Sequence, residues 1–265
     1  MFKIISVFFF IAIISIQIFA QTKRPNVVFI LIDDLGYGDL ASYGNRFIKT
    51  PNLDKFAKQG MKFTNFYSAS PLCSPSRAAF LTGRTPFRTG IKSWIPEGQG
   101  IYLHKEEKTL ANILKDNGYQ TFITGKWHLN AGLNLANNPQ PPDAGFDKWA
   151  ALHAFPIPNS KNPTNFFDNG KPVGAIDGFA GDFAVDKAIE YLNDRDTNKP
   201  FFLYLPLVEV HGVIASPDKF LKQYSKYTNQ PNPQPLINTI EGVDPTGFTA
   251  RGPGEYYANV SYMDY

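Results

Sequence analysis

The chain has 265 residues, 43% of them hydrophobic and 18% charged, with 21 Gly and 21 Pro, a composition that suits one large globular domain rich in loops. Its formal net charge of +3 comes from 26 Lys and Arg against 23 Asp and Glu, and no Lys/Arg block concentrates it. That balance excludes a nucleic-acid partner as the reading of choice, while mild positive charge is compatible with an anionic substrate without demanding one.

The first twenty residues stand apart. Lys3 supplies a short basic start, Ile4 to Ile18 are almost wholly apolar, and Phe19-Ala20 puts a small residue before the polar run Gln21-Thr22-Lys23-Arg24. This predicts a secretory signal peptide over 1–20, cleaved after Ala20, and a secreted or periplasmic protein with no stable membrane insertion afterwards. An uncleaved anchor is the alternative, because the run is near the lower limit for a bilayer span. In an oxidising compartment the single cysteine, Cys73, has no internal disulfide partner. It is either a small buried hydrophobe or a functional group.

Asn26 to Ile32 is a β-branched and aromatic run, expected to be a parallel strand buried on both faces, and it ends at Asp33-Asp34. Thr50-Pro51 opens a helix with Thr as N-cap and Pro at the first position, closed by Gly60. Met61 to Tyr67 reads as a second strand. Pro75 to Thr82 is a short helix stopped by Gly83, and Thr109 caps another that ends at Gly118. A strand follows from Tyr119 to Thr124. The Asn/Pro/Gly-rich stretch 130–178 reads as loops. Asp182 to Asn193 returns to helical spacing, Pro200 to Leu205 is a very apolar strand, and Glu255 to Tyr265 is helical again. Alternating strands and helices predict an α/β sandwich around a mostly parallel sheet, with ligand sites at the carboxyl ends of its strands. Asp33-Asp34, Lys126, His128 and His211 fall at such ends.

Cys73 sits where a helix begins, in the positive field of its N-terminus, and Arg77 returns over the same first turn. Such a place suits a low-pKa thiolate or a modified residue facing an anion. The run Cys73-Ser74-Pro75-Ser76-Arg77, continuing through Leu81-Thr82-Gly83-Arg84, resembles the sulfatase signature. So do Arg24-Pro25-Asn26 with the strand into Asp33-Asp34-Leu35-Gly36-Tyr37-Gly38, then Thr50-Pro51-Asn52-Leu53-Asp54, and Gly125-Lys126-Trp127-His128-Leu129. The apolar strand before His211 is similar to the one before the family's second histidine. The resemblance runs from Arg24 to the last residue, which makes 24–265 an N-terminal catalytic sulfatase domain.

What the resemblance implies is specific. The fold is an alkaline-phosphatase-like α/β sandwich whose C-terminal part is missing here. Cys73 is the precursor of a formylglycine, made by a maturation enzyme, and Ca²⁺ is the cofactor, held by Asp33, Asp34 and position 73. Hydrated formylglycine attacks sulfur, and its second hydroxyl passes a proton to His128 as sulfate leaves. Arg77 polarises the nucleophile, while Lys126 and His211 hold sulfate oxygens and assist the leaving group. The substrate is a sulfated small molecule or polysaccharide. The alternatives are a phosphonate or phosphodiester hydrolase using the same modified cysteine, and an inactive truncated remnant that binds anions.

Some residues depart from the pattern. Asn130 stands where the family has Gly, and Gly212-Val213-Ile214-Ala215-Ser216-Pro217 differs from the commoner forms after the second histidine. Asp168-Asn169-Gly170 spells the family's second metal element in the wrong place, and Asn169-Gly170-Lys171 reads as a turn. The true Asp-Asn pair and a late lysine are then expected beyond this sequence. His104 and His153 match no motif and are expected at the surface or at a substrate edge.

Overall fold

The computed structural model describes residues 24–227 and 253–265, so the stretch read as a signal peptide lies outside the described residues. In chain order the elements are β1 (Val27–Ile32), α1 (Pro51–Gln59), α2 (Cys73–Thr82), α3 (Pro86–Thr89), α4 (Leu110–Asp116), β2 (Gln120–Lys126), β3 (Lys148–Leu152), β4 (Phe167–Asp168), β5 (Lys171–Pro172), α5 (Ala180–Asp194), β6 (Phe201–Leu207), α6 (Asp218–Gln223) and α7 (Pro253–Met263). The sheet order is β1-β6-β2-β3-β4-β5. The first four strands are parallel and the last two antiparallel.

β6 lies between β1 and β2, and every residue of its run Phe-Phe-Leu-Tyr-Leu-Pro-Leu is buried. A strand covered on both faces has no use for alternation, which is why its sequence is continuously apolar. On one face Ala78 and Leu81 of α2, with Leu110 and Leu114 of α4, pack against Ile123, Phe202 and Tyr204. On the other, Ala188 and Tyr191 of α5 pack against Phe122 and Leu203. The result is a sandwich of helices about a mostly parallel sheet.

β1 differs from expectation: one face is covered along its length, the other only at its end, where Ile32 packs beside Leu205 and Leu207. Phe29 stacks on Phe80 of α2 with ring centroids 3.8 Å apart, an arrangement worth about 0.5–1.5 kcal/mol beyond the area it buries. On the opposite face Val28 and Ile30 are 49% and 53% exposed, because α5 packs on β2 and β6 and stops short of the sheet edge.

Two elements were misread from sequence. Met61 to Tyr67 forms no strand, and Phe63, Phe66 and Tyr67 are exposed; β propensity without a neighbouring strand to pair with is not enough. Conversely β3 arises inside the stretch expected to be loop. Its Trp-Ala-Ala-Leu core has little β propensity, but fully buried Ala150 and Ala151 let helices approach both faces of the sheet.

Caps follow a similar division. Thr109 caps α4 as its sequence suggests, accepting from Asn112 N at 3.1 Å. Thr50 makes no capping bond to α1. The carboxylate of Asp264 does so instead, accepting from Asn52 N at 3.0 Å and Leu53 N at 2.7 Å, while Asn52 Nδ2 donates to the Asp264 carbonyl at 2.8 Å. Asn169-Gly170 is the turn between β4 and β5, with φ of 47° and 83°, the left-handed pair a two-residue hairpin needs. Asp168 pairs with Lys187 at 2.8 Å, at the sheet edge opposite β1.

Candidate active site

Three neighbouring parallel strands end on one side of the sheet and deliver the polar residues there. β1 runs into Asp33 and Asp34, β2 ends at Lys126 with His128 two residues on, and β6 leads to His211. The chain keeps these ends in register beyond the strands: Asp33 N donates to Leu207 O at 3.3 Å and Val210 N to Asp33 O at 2.9 Å. The N-terminus of α2 faces the same end and carries Cys73, half-buried and unpaired, with Arg77 one turn on.

At the centre is a buried ion triad. Asp33 Oδ2 lies 2.6 Å from Lys126 Nζ and Asp33 Oδ1 lies 3.2 Å from Arg77 Nη2. Arg77 and Lys126 are each 1% exposed. Burial pushes the Asp33 carboxyl up, but Arg77, Lys126 and His211 together outweigh it and hold it at about 2. Arg77 Nη1 also donates to the Lys126 carbonyl at 2.9 Å. Among the described residues its Nε has no partner, and its Nη2 meets Asp33 without hydrogen-bond alignment. Two positive groups are thus fixed around one carboxylate, with guanidinium donors left over beside Cys73.

His128 occupies the left-handed region at φ 55° and is 3% exposed. Its backbone N–H donates to His153 O at 2.8 Å. Its Nε2 lies 3.1 Å from Ile95 O; since a carbonyl only accepts, Nε2 carries the proton and Nδ1 keeps a lone pair that has no partner among the described residues. Burial, then Lys126, His153 and Arg77, depress this imidazole to about 2, so it is a neutral acceptor rather than a cation. His211 is half-buried, its Nε2 3.7 Å from Asp34 Oδ2. Asp34 itself is largely exposed at φ 62°.

His153 is not a surface residue. It is 8% exposed, its ring packs edge-on against His128 with centroids 5.2 Å apart, and its Nε2 sits 2.6 Å from Asn130 O. It follows β3, and failing to see β3 in the sequence concealed its position at a strand's carboxyl end. Glu209, two residues before His211, was also passed over. It is 2% exposed, and burial raises its carboxyl to about 7.

These two opposed shifts have a measurable consequence. Unfolded His128 takes up a proton near 6.5 and folded His128 does not, so stability is lost by about 1.4 kcal/mol per pH unit as pH falls below that point. His153, depressed mainly by burial, adds to this loss. Glu209 has the opposite sign: its contribution is complete below 4.5 and is lost as pH rises toward about 7. Between pH 4.5 and 6.5 the two largely cancel. We expect a shallower stability profile for the wild-type protein over that window than for Glu209→Gln, which should lose about 3 kcal/mol on acidification across it. Urea unfolding at the two pH values checks this; a flat profile in the variant would mean that His128 titrates normally.

For a divalent cation, the oxygen donors here are those of Asp33 and Asp34. They are the right chemistry for a hard ion, though both Asp33 oxygens already face a cation. Among the described residues no three His, Cys, Asp or Glu side chains converge as a metal-binding group. The described residues therefore offer part of such a site, next to two buried cations held around Asp33.

The chain resembles known proteins in sequence and in fold. The Sulfatase family model matches residues 25–265. The chain is 34% identical over 225 residues to human N-acetylgalactosamine-6-sulfatase, covering 75% of this chain and 42% of the relative. It is 33% identical over 222 residues to N-acetylglucosamine-6-O-sulfatase of Bacteroides thetaiotaomicron, covering 84% and 37%. The crystal structure of Ps i-CgsB superposes with a TM-score of 0.73 at 27% identity, over 91% of this chain and 53% of that one. The chain thus spans less than half the length of these two curated relatives. With its alkaline-phosphatase-like α/β fold, and with the family model covering nearly all of its length, the chain belongs to the sulfatase family.

Proposed function

We propose that this chain carries the nucleophile and the anion cradle of a sulfuric ester hydrolase, with Cys73 converted to formylglycine by a maturation enzyme. The observation that carries the reading is Arg77: a guanidinium buried at the N-terminus of α2, beside Cys73, with its Nε donor unpartnered. As a hydrate, formylglycine supplies one hydroxyl for attack on sulfur and a second whose loss of a proton releases sulfate.

The chain's own residues do the rest. Arg77 and Lys126 hold two positive charges at fixed positions, so the negative charge gathering on the sulfuryl oxygens meets donors that need not reorganise. The Nδ1 lone pair of His128 accepts a proton at the nucleophile. Burial, with Lys126, His153 and Arg77 beside it, makes it a weak acceptor, and the negative charge of a bound sulfate group would offset the two cations. His211 hydrogen-bonds the ester oxygen that leaves. Asp33 and Asp34 would hold Ca²⁺, with position 73 beside them, and the ion would supply Lewis acidity toward the sulfuryl group. The substrate class is a sulfated carbohydrate, a reading supported by two relatives named for amino-sugar 6-sulfates. Export through the segment 1–20 to a secreted or periplasmic location completes the proposal.

The test is co-expression with a formylglycine-generating enzyme. A Cys73 peptide about 18 Da lighter than the thiol form is expected, with hydrolysis of an aryl sulfate and of N-acetylglucosamine 6-sulfate. Arg77→Ala should lower kcat/KM by about 10²–10³-fold or more. Faster turnover of an aryl phosphonate than of the sulfate would favour a phosphonate hydrolase. No turnover of either by the modified protein would refute the assignment of activity to this chain.

A further inference from the structure

Ser74, the residue after the proposed nucleophile, is fully buried, and so is Ile95 in the loop between α3 and α4. Ile95 N donates to Ser74 Oγ at 3.1 Å, and Ile95 O accepts from His128 Nε2 at 3.1 Å. A single loop residue is thus bonded on one side to the first turn of α2 and on the other to the imidazole. The same loop is fastened to the chain just beyond His128. Gly98 N donates to Ala131 O and Leu103 N to Leu129 O, both at 2.8 Å. α2 also meets the end of β2 where Arg77 Nη1 donates to Lys126 O at 2.9 Å. That second bond fixes a main chain, whereas the path through Ile95 reaches the ring.

No side chain caps α2, so the Ser74 hydroxyl turns its acceptor outward, to the loop, rather than to its own helix. The imidazole needs what the loop supplies. To accept a proton at Nδ1, His128 must keep its own proton on Nε2, and the partner at Nε2 decides which nitrogen carries it. That partner is the Ile95 carbonyl. Only the two soft dihedrals of Ile95 separate its carbonyl from its N–H, so a displacement at the Ser74 bond carries through to the His128 bond.

We propose that Ser74 is a positioning residue for His128, acting through the backbone of Ile95 to hold the proton acceptor in place relative to the start of α2. This rests on the reading of His128 as the group that takes a proton at the nucleophile. Ser74 itself touches neither substrate nor the reacting atoms.

Two readouts on the full chain test it: exchange of the His128 Nε2 proton with water, followed by NMR and assigned by its loss in His128→Gln, and aryl sulfate turnover per formylglycine formed. Ser74→Ala should speed the exchange and lower kcat, each by about tenfold or more, while KM stays within about twofold. Ser74→Thr keeps the acceptor oxygen and should recover most of both. Ile123→Val, a buried change in β2 away from the loop, should lower the melting temperature and leave both readouts as they were. Unchanged exchange and kcat in Ser74→Ala would overturn the proposal, since Ser74 would then only satisfy a buried N–H. Equal acceleration of exchange in Ile123→Val would overturn it too, by showing general loosening. If the modified wild-type chain turns over no sulfate, the functional reading falls, and the proton exchange alone still decides whether Ser74 holds the ring.

Discussion

Asp33→Ala is expected to destabilise the fold by about 3–5 kcal/mol, a large share of the 5–15 kcal/mol that holds a typical domain together. The loss comes from what stays behind. Arg77 and Lys126, each 1% exposed, would face one another with no counter-charge where Asp33 now meets them at 3.2 and 2.6 Å. Asp33→Ala combined with Lys126→Met removes one of the stranded cations and should recover part of the loss. Urea unfolding of the single and double variants tests this. A single-variant loss below 1 kcal/mol would mean that water reaches the triad and screens it.

Gly125→Ala is expected to be nearly as damaging. Gly125 has a φ of 120°, and a Cβ there would lie 2.1 Å from the carbonyl oxygen of Pro206 on β6. Backbone strain and a clash with a neighbouring main chain add to about 3 kcal/mol or more. The residue directly precedes Lys126, so a shift at 125 also moves the ammonium that Asp33 holds. Gly83→Ala is the control: its φ of 65° is unfavourable too, but nothing lies within 4 Å, and a loss of about 1 kcal/mol is expected. Thermal unfolding of both variants should separate them by several degrees. Equal losses would show that β2 can slide away from β6.

Legibility from sequence followed the physics of each element. β1, β2 and β6 were readable because buried parallel strands must be continuously apolar. The positions at their ends were readable because polar residues there have no apolar wall to join. β3 was not, since its buried alanines answer to helices packing from above, a demand no local pattern records. The start of α2 was legible through a long contiguous run beginning at Cys73. The triad was not: its members come from β1, α2 and β2, and the sequence suggested metal binding for Asp33 without showing that Arg77 and Lys126 would flank it. His153 was hidden because its role depends on a ring 25 positions earlier, His128.

The bond that starts α1 also sets an order of events. Asn52 and Leu53 wait for Asp264, 212 and 211 positions later, so as the chain emerges during synthesis that helix has no finished first turn until the chain has been made as far as Asp264. Closing so wide a loop is slow, though lengthening it further adds little to the entropic barrier. Until then only water can satisfy the N–H groups of Asn52 and Leu53 that Asp264 later caps.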